Sequence, residues 1–316
     1  MKKLIDKVLN QEVFIEKPPV LIDIGASGAI HPAWKSIAKY SICIAFDADV
    51  RDFEVTETKD SGYKKLFKIN RVVTAESKEE IDFYLTSSPH CSSGLEPDIK
   101  ALEPWAFRDL FALNKKIKLP AITLNQALSQ CGISYIDWYK TDSQGTDLRL
   151  FKSLPLEVCE QMIAAEFEPG ILDAYKHEDK LHSLMSYMDK LPFWVTDMHL
   201  KGSQRIDQKY LTGISSFKKR FLTFFLRTPP GWCEIAYLNE FRNKPSQRDL
   251  LLGWVISTLK NEYGFALHLA NRGMLTSNND LFEVLSESSR ASIVGFAGYY
   301  KLSNFAFNRL MKKIFK

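Results

Sequence analysis

Seven short apolar segments are spread along this chain of 316 residues, separated by stretches long enough for amphipathic helices. The early segments are apolar almost without interruption, which is typical of strands buried on both faces of a parallel sheet. Helices on both sides of the sheet would bury them. The sequence therefore predicts a doubly wound α/β fold with a mostly parallel, seven-stranded sheet. The segments are 20–25, 42–49, 69–73, 136–142, 162–168, 193–198 and 233–240.

The pattern changes toward the C-terminus. The stretch SQRDLLLGWVISTLKNEYG, which begins at Ser246, has the apolar content and length of a helix. Ser246 and Asp249 have the spacing of a capping box, and Gly264 is a candidate for the end of this helix. We therefore predict two domains, a sheet domain in residues 1–243 and a helical C-terminal extension in residues 244–316.

The composition is that of a globular protein, with 45% hydrophobic and 25% charged residues. A formal net charge of +4 is too small to indicate a nucleic-acid partner. The N-terminal stretch MKKLIDKVLNQEVFIEK lacks the apolar run of a signal peptide, and no segment approaches the ~18 apolar residues of a membrane span, so we expect a cytoplasmic protein. The five cysteines form no C-x-x-C pair, which argues against a thiolate metal site.

The turn after the first segment contains two glycines, Gly25 and Gly28, and the segment itself contains one acid, Asp23. In a doubly wound sheet, ligands bind beyond the carboxyl ends of the strands, where this turn lies. Glycines let backbone N–H groups approach a ligand closely. An acid inside an apolar strand must be paired or hydrogen-bonded, because burial of an unpaired carboxylate is costly. The turn is therefore a candidate ligand site.

The second segment ends in the acids of AFDAD, and Asp47 follows the glycine turn by about 20 residues, the separation found in dinucleotide-binding folds. An acid at this position can accept hydrogen bonds from both hydroxyls of a ribose. The turn is Gly-x-x-Gly and not G-x-G-x-x-G, so a cradle for a pyrophosphate is poorly specified. We therefore predict a nucleoside ligand without phosphates.

Three stretches together resemble the FkbM-type S-adenosylmethionine-dependent methyltransferases. LIDIGASGAI is similar to the first motif of that family, and IAFDADV to its second-strand acid, although the family usually has Glu-Pro where Asp47-Ala48 stand. The most specific match is IDWYKTDSQGTDLRLFKSL. Here Lys140, Asp142 and Gly145 agree with the family signature, and Asp147 stands where the family has glutamate.

The segment HCSSGLEP, residues 90–97, is similar to a serine-containing segment of that family. The stretches AAEFEP and FWVTDM are weaker matches. The resemblance covers roughly residues 18–200 and does not reach the C-terminal helices. It implies a class I, Rossmann-like enzyme that transfers a methyl group from S-adenosylmethionine to a hydroxyl group of a small-molecule or glycan acceptor, such as a sugar or a secondary-metabolite building block.

The resemblance also implies residue roles. Asp142 could hold the methionine ammonium or accept the substrate proton, and the sequence leaves both roles open. Lys140 is two residues away, so the two side chains could pair on one face of the strand. Glu166 could bind substrate hydroxyls or act as a base, and His31 is a further candidate base. The candidate cofactor residues are Asp23, Gly25, Ala26, Ser27, Gly28, Asp47 and Asp142, and the candidate catalytic residues are Asp142, Glu166, Lys140 and His31.

Two other functions are compatible with the sequence. Asp47 and Asp49 have the spacing with which two carboxylates share a divalent cation, so a metal-dependent nucleotide-sugar glycosyltransferase is the enzymatic alternative. A non-catalytic adaptor that has kept the fold is the other. For the methyltransferase we expect no metal, and the histidines of HEDKLH, five residues apart, do not have the i, i+4 spacing of a helical zinc site.

The last sixteen residues, 301–316, form a basic amphipathic pattern. They contain five positive charges and no acid, and apolar residues recur at helical spacing. Such a helix could pack on the protein's own core or on a second subunit of a homo-oligomer. Alternatively, it could attach to an anionic membrane surface.

Overall fold

The computed structural model describes residues 1–25, 30–48, 62–215 and 225–295, together with 217, 218 and 221. The chain divides into two compact units. One unit is Pro18–Glu240, and the other combines Met1–Lys17 with the chain from Phe241 onward. The division after Glu240 lies close to the predicted one after residue 243. Residues 1–17 were predicted to belong to the sheet domain, but they group with the C-terminal helices.

The main sheet of the larger unit has seven strands in the order β3-β2-β1-β7-β8-β10-β9. All neighbouring pairs are parallel except those that β10 makes with β8 and β9. The α/β class and the mostly parallel seven-stranded sheet agree with the prediction. The strands are β1 Val20–Ile24, β2 Ile42–Phe46, β3 Lys65–Ile69, β4 Val72–Thr74, β5 Glu80–Thr86, β6 Leu113–Thr123, β7 Trp138–Thr141, β8 Ala164–Phe167, β9 Phe193–Gly202 and β10 Pro230–Asn239.

The predicted strand 69–73 is wrong in its bounds. Residues of this segment belong to two strands, since β3 ends at Ile69 and β4 begins at Val72. β4 pairs with β6 in a second, three-stranded sheet of order β4-β6-β5. β3 escaped detection because it is an edge strand with lysines at 65 and 68, so it lacks the continuous apolar pattern of a buried strand.

One face of the main sheet packs against helices of the larger unit through a continuous apolar core, which includes Ile22, Ile44, Tyr139, Phe167 and, from a helix, Phe151. The helix that follows β6 begins with a capping box at Thr123 and ends at Gly132, which has a φ of 68°. The helices of this unit are α3 Ile99–Leu102, α4 Leu124–Cys131, α5 Asp147–Lys152, α6 Leu156–Gln161 and α7 Leu181–Met188.

The order of the main sheet creates a crevice at its centre. From β1 the chain moves outward to β2 and β3 on one side, and it later returns to β7 and β8 on the other side of β1. Connections that leave neighbouring strands in opposite directions separate beyond the carboxyl ends of those strands. The fold therefore places an opening beyond the ends of β1 and β7.

The smaller unit is helical. The N-terminal helices contribute a buried face to it, and the guanidinium of Arg248 lies over the ring of Phe14 at 5.5 Å while its Nε donates to the carbonyl of Lys17. These contacts explain why residues 1–17 group with this unit. Its helices are α1 Lys2–Leu9, α2 Glu12–Glu16, α8 Gln247–Leu259 and α9 Tyr263–Thr276, and residues 281–295 are also helical.

The predicted capping box of α8 is confirmed, because Ser246 and Asp249 exchange side-chain to backbone hydrogen bonds. The predicted end at Gly264 is wrong. α8 ends at Leu259, Asn261 takes the left-handed conformation with a φ of 62°, and Gly264 lies in the first turn of α9. Asn261, a polar residue that tolerates a positive φ, therefore follows the end of α8 where a glycine was predicted.

No helix within the described ranges is both long and apolar enough to cross a membrane. The predicted basic helix 301–316 lies outside the described residues, so its proposed contacts with a membrane or a second subunit stay predictions.

Candidate functional site

A cavity of about 690 Å³ opens at the carboxyl ends of β1, β2 and β7. Gly25, Asp47 and Asp142, each the first residue after one of these strands, line the cavity together. The other wall comes from the small sheet and the segment that follows β5. The volume is within the range of small-molecule sites.

Gly25 follows the last residue of β1 and packs tightly against the backbone of Asp142, which follows β7. It has a φ of 81°, and a Cβ atom built on it would come within 2.2 Å of the carbonyl oxygen of Asp142. Its N–H donates to the carbonyl of Phe46 at 3.0 Å, and the N–H of Asp142 donates to the carbonyl of Ile24 at 2.9 Å. Gly25 is therefore required for the packing of three strand ends. Ala26, Ser27 and Gly28, the rest of the predicted cofactor turn, lie outside the described residues.

Asp47 follows the last residue of β2. Its side chain is buried, with 7% of its surface exposed, and it lies on the cavity wall. Asp47 and Gly25 thus line the same cavity, and the role of Asp47 as a ribose ligand stays a prediction. Asp49, the second carboxylate of the alternative metal site, lies outside the described residues.

Asp142 is held by the turn between β7 and α5. Gln144, in the left-handed conformation with a φ of 55°, donates from Nε2 to Oδ1 of Asp142. Gln144 is in turn held by Tyr175, whose hydroxyl donates to its Oε1 at 2.8 Å, and by Ser93, whose hydroxyl donates to its carbonyl at 2.7 Å. Ser93 belongs to the serine-containing segment noted in the sequence. This chain of contacts fixes the carboxylate of Asp142 at the cavity wall.

Asp147 is the first residue of α5 and is almost fully buried. Its carboxylate accepts hydrogen bonds from the hydroxyl of Thr141, from the N–H of Ser143 and, on the other oxygen, from the N–H of Glu168. Burial raises the pKa of Asp147 to about 6. The residue joins the ends of β7 and β8 and does not line the cavity.

Glu168 is a candidate site residue that the sequence analysis missed. The register that pairs Lys140 with Glu166 brings Asp142 and Glu168 together, each just beyond the end of its strand, and the two carboxyl groups influence each other's pKa. Burial, followed by the nearby carboxylates of Asp142 and Asp147, raises the pKa of Glu168 to about 9, and burial also raises the pKa of Asp142. The raised pKa of Glu168 favours its protonated form at neutral pH. Glu168 could have been found in the sequence, because it directly follows β8 just as Asp142 directly follows β7.

Lys140 forms its ion pair with Asp23. The sequence analysis had suggested Asp142 as its partner. Its Nζ lies 3.2 Å from Oδ1 of Asp23, which is completely buried, and the N–H of His31 donates to the other carboxylate oxygen at 3.0 Å. Although burial opposes it, the carboxylates of Asp23 and Asp142 raise the pKa of Lys140 above its ordinary value. The protein itself thus supplies the cation and a backbone N–H that the sequence required for Asp23.

His31 and Glu166 form a second polar contact on the same face of the sheet. Nε2 of His31 lies 3.6 Å from Oε2 of Glu166, whose other oxygen accepts from Nε1 of Trp138 at 3.0 Å. The ring of Trp34 packs against the rings of His31 and Trp138. Of the four predicted catalytic residues, Asp142 lines the cavity, whereas Lys140, Glu166 and His31 form this polar row beside Asp23.

The raised pKa of Glu168 leads to a prediction about how stability depends on pH. Between its ordinary pKa of 4.5 and the native value of about 9, the native carboxyl keeps a proton that the unfolded chain has lost. The free energy of unfolding should therefore fall as pH rises through this window, by up to about 1.4 kcal/mol per pH unit. Glu168→Gln should flatten this slope and raise stability at pH 8, as measured by urea unfolding.

Glu157→Gln, a change at an exposed position on α6, is the matched control and should leave the slope unchanged. Parallel slopes for Glu168→Gln and the parent protein would show that Glu168 does not carry the proton.

No protein-family model matches this chain, and no curated protein matches its sequence. Within the described part of the chain, no group of three or more histidine, cysteine, aspartate or glutamate side chains is arranged to hold a metal ion.

Proposed function

We propose that this protein is an S-adenosylmethionine-dependent methyltransferase with a Rossmann-like fold, and that it methylates a hydroxyl group of a small molecule or glycan. The observation that carries the proposal is the convergence of Gly25, Asp47 and Asp142 on one cavity at the ends of three adjacent parallel strands. Ligands of open α/β sheets bind in this crevice. The seven-stranded sheet and the motif residues support the resemblance to the FkbM-type enzymes.

The residues around the cavity suit this cofactor. Asp47 offers a buried carboxylate at the position that binds a ribose diol in such sheets. Gly25 lets the end of β1 pack against Asp142, so that both residues line the same cavity. The volume of about 690 Å³ lies within the range of sites that bind small molecules.

The far wall of the cavity suits a polyhydroxylated acceptor. It combines apolar, hydroxyl and charged side chains, which can pack against a sugar ring and hydrogen-bond to its hydroxyl groups. These side chains include Thr74, Ile81, Tyr84, Ser92, Lys176 and His177.

S-adenosylmethionine supplies, when bound, an electrophilic methyl group on a sulfonium. We assign the uptake of the acceptor's hydroxyl proton to the carboxylate of Asp142. Its raised pKa brings it closer to neutral pH, which favours general-base catalysis, and Gln144 holds one of its oxygens in place. Glu168 lies beside this carboxylate, and its raised pKa favours a neutral neighbour, which leaves the negative charge on Asp142.

Cofactor binding tests the proposal directly. S-adenosylhomocysteine should bind to the protein in calorimetry, and Asp47→Ala should weaken this binding by about 1.5–3 kcal/mol because a charge-assisted hydrogen bond to the ribose is lost. Asp82→Ala is the matched control. Asp82 also lines the cavity, but on the small sheet, where it pairs with Lys116. This control removes the exposed pair with Lys116 but no predicted contact with the cofactor, so it should change the affinity less than about twofold.

Equal affinities for Asp47→Ala and the parent protein would contradict the assignment. A parallel titration with a UDP-sugar and manganese separates the glycosyltransferase alternative. Binding in that titration, together with activity that EDTA abolishes and manganese restores, would favour the metal-dependent enzyme.

A further inference from the structure

Three phenylalanines form an exposed row on the larger unit. Phe217, Phe221 and Phe225 are helical and follow each other at intervals of four residues. Their ring centroids are 5.9 and 5.5 Å apart, and the rings are 74%, 55% and 76% exposed. Side chains four residues apart lie on one face of a helix. A row of aromatic rings with this exposure is unusual on a surface that faces only water.

The same stretch of chain is strongly basic. Between residues 208 and 233 there is no aspartate or glutamate, and there are five lysines or arginines. Of these basic residues, Lys218 directly follows Phe217 in the sequence, and Arg227 lies two residues after Phe225. The row thus combines an apolar face with positive charge, which is the pattern of helices that lie in the interface of a membrane.

The charge selects among the possible occupants of this face. A second copy of the chain in a two-fold contact would bring the same five positive charges together. The C-terminal segment 301–316 also carries five positive charges and no acid, so it would be repelled as well. A bilayer with anionic lipids is attracted by the lysines and arginines and accepts the phenyl rings at the boundary of headgroups and acyl chains.

We propose that the row Phe217, Phe221 and Phe225 docks this protein onto anionic membrane surfaces. The rings enter the interface and the neighbouring basic residues contact lipid headgroups. This inference does not depend on the proposed enzymatic activity.

Co-sedimentation of the full chain with vesicles tests the proposal. The protein should sediment with vesicles of phosphatidylcholine and phosphatidylserine, less with phosphatidylcholine alone, and less at about 0.5 M salt, where charges are screened. The triple variant Phe217→Ser, Phe221→Ser, Phe225→Ser should reduce the apparent affinity at least about tenfold, because the buried apolar area is lost. Since the rings are exposed, the variant should keep the melting temperature.

Two further variants make the outcome decisive. Lys218→Ser with Arg227→Ser should reduce binding to anionic vesicles only, and Leu275→Ser, which removes an 87% exposed side chain from α9, should have no effect. Vesicle binding by the triple variant equal to that of the parent protein would overturn the proposal and assign binding to another surface, such as 301–316. No binding by the parent protein, or a triple variant that changes only the oligomeric state, would overturn it too.

Discussion

Gly25→Ala should abolish binding of S-adenosylhomocysteine and lower the free energy of unfolding by about 2–4 kcal/mol. The added Cβ would stand 2.2 Å from the carbonyl oxygen of Asp142, a backbone atom that cannot move without disturbing the hydrogen bond between Asp142 and Ile24. The φ of 81° adds strain for any residue with a side chain. Calorimetry measures the first effect and urea unfolding the second.

Gly132→Ala is the matched control. Gly132 also has a positive φ, 68°, but a Cβ there meets nothing within 4 Å, so only the backbone strain of about 1 kcal/mol is expected. The difference between the two variants isolates the contact with Asp142. Equal losses of stability would show that the ends of β1 and β7 are not packed as described. Normal cofactor affinity in a folded Gly25→Ala protein would place the cofactor elsewhere.

Asp142→Asn should reduce methyl transfer by roughly 10²–10⁴-fold while changing the affinity for S-adenosylhomocysteine little. Asparagine has the same shape and can still bond to Gln144, but its amide cannot accept a proton from the acceptor. The measurement is transfer of labelled methyl groups from the cofactor to cell-surface glycan extracts. That screen also identifies the acceptor.

Glu166→Gln gives the comparison for this variant. Glu166 contacts Trp138 and His31 and does not line the cavity, so its replacement should cost much less activity. A large loss of affinity in Asp142→Asn would instead assign Asp142 to the methionine ammonium. A collapsed melting temperature with normal turnover per folded molecule would make the residue structural.

Features that depend on neighbours in sequence could be predicted without the structure. The strand that ends at Ile24 follows from a local apolar run, and the capping box of Ser246 and Asp249 from a spacing of three residues. Asp47 was found because the end of a parallel strand is recognisable in sequence and all such ends lie at one edge of the sheet, whereas Asp142 was found through the resemblance to a family signature. The residues at the strand ends could therefore be predicted, but the wall of the cavity that the small sheet forms could not.

The partners of the charged groups were decided by the tertiary structure. Lys140 pairs with Asp23, 117 residues earlier, because β1 and β7 are neighbours in the sheet, whereas the sequence suggested the nearby Asp142. Glu168 meets Asp142 because of the register between β7 and β8. Local sequence determines where a strand begins and ends, but which side chains meet across strands depends on strand order and register. Those are set by the packing of the whole sheet.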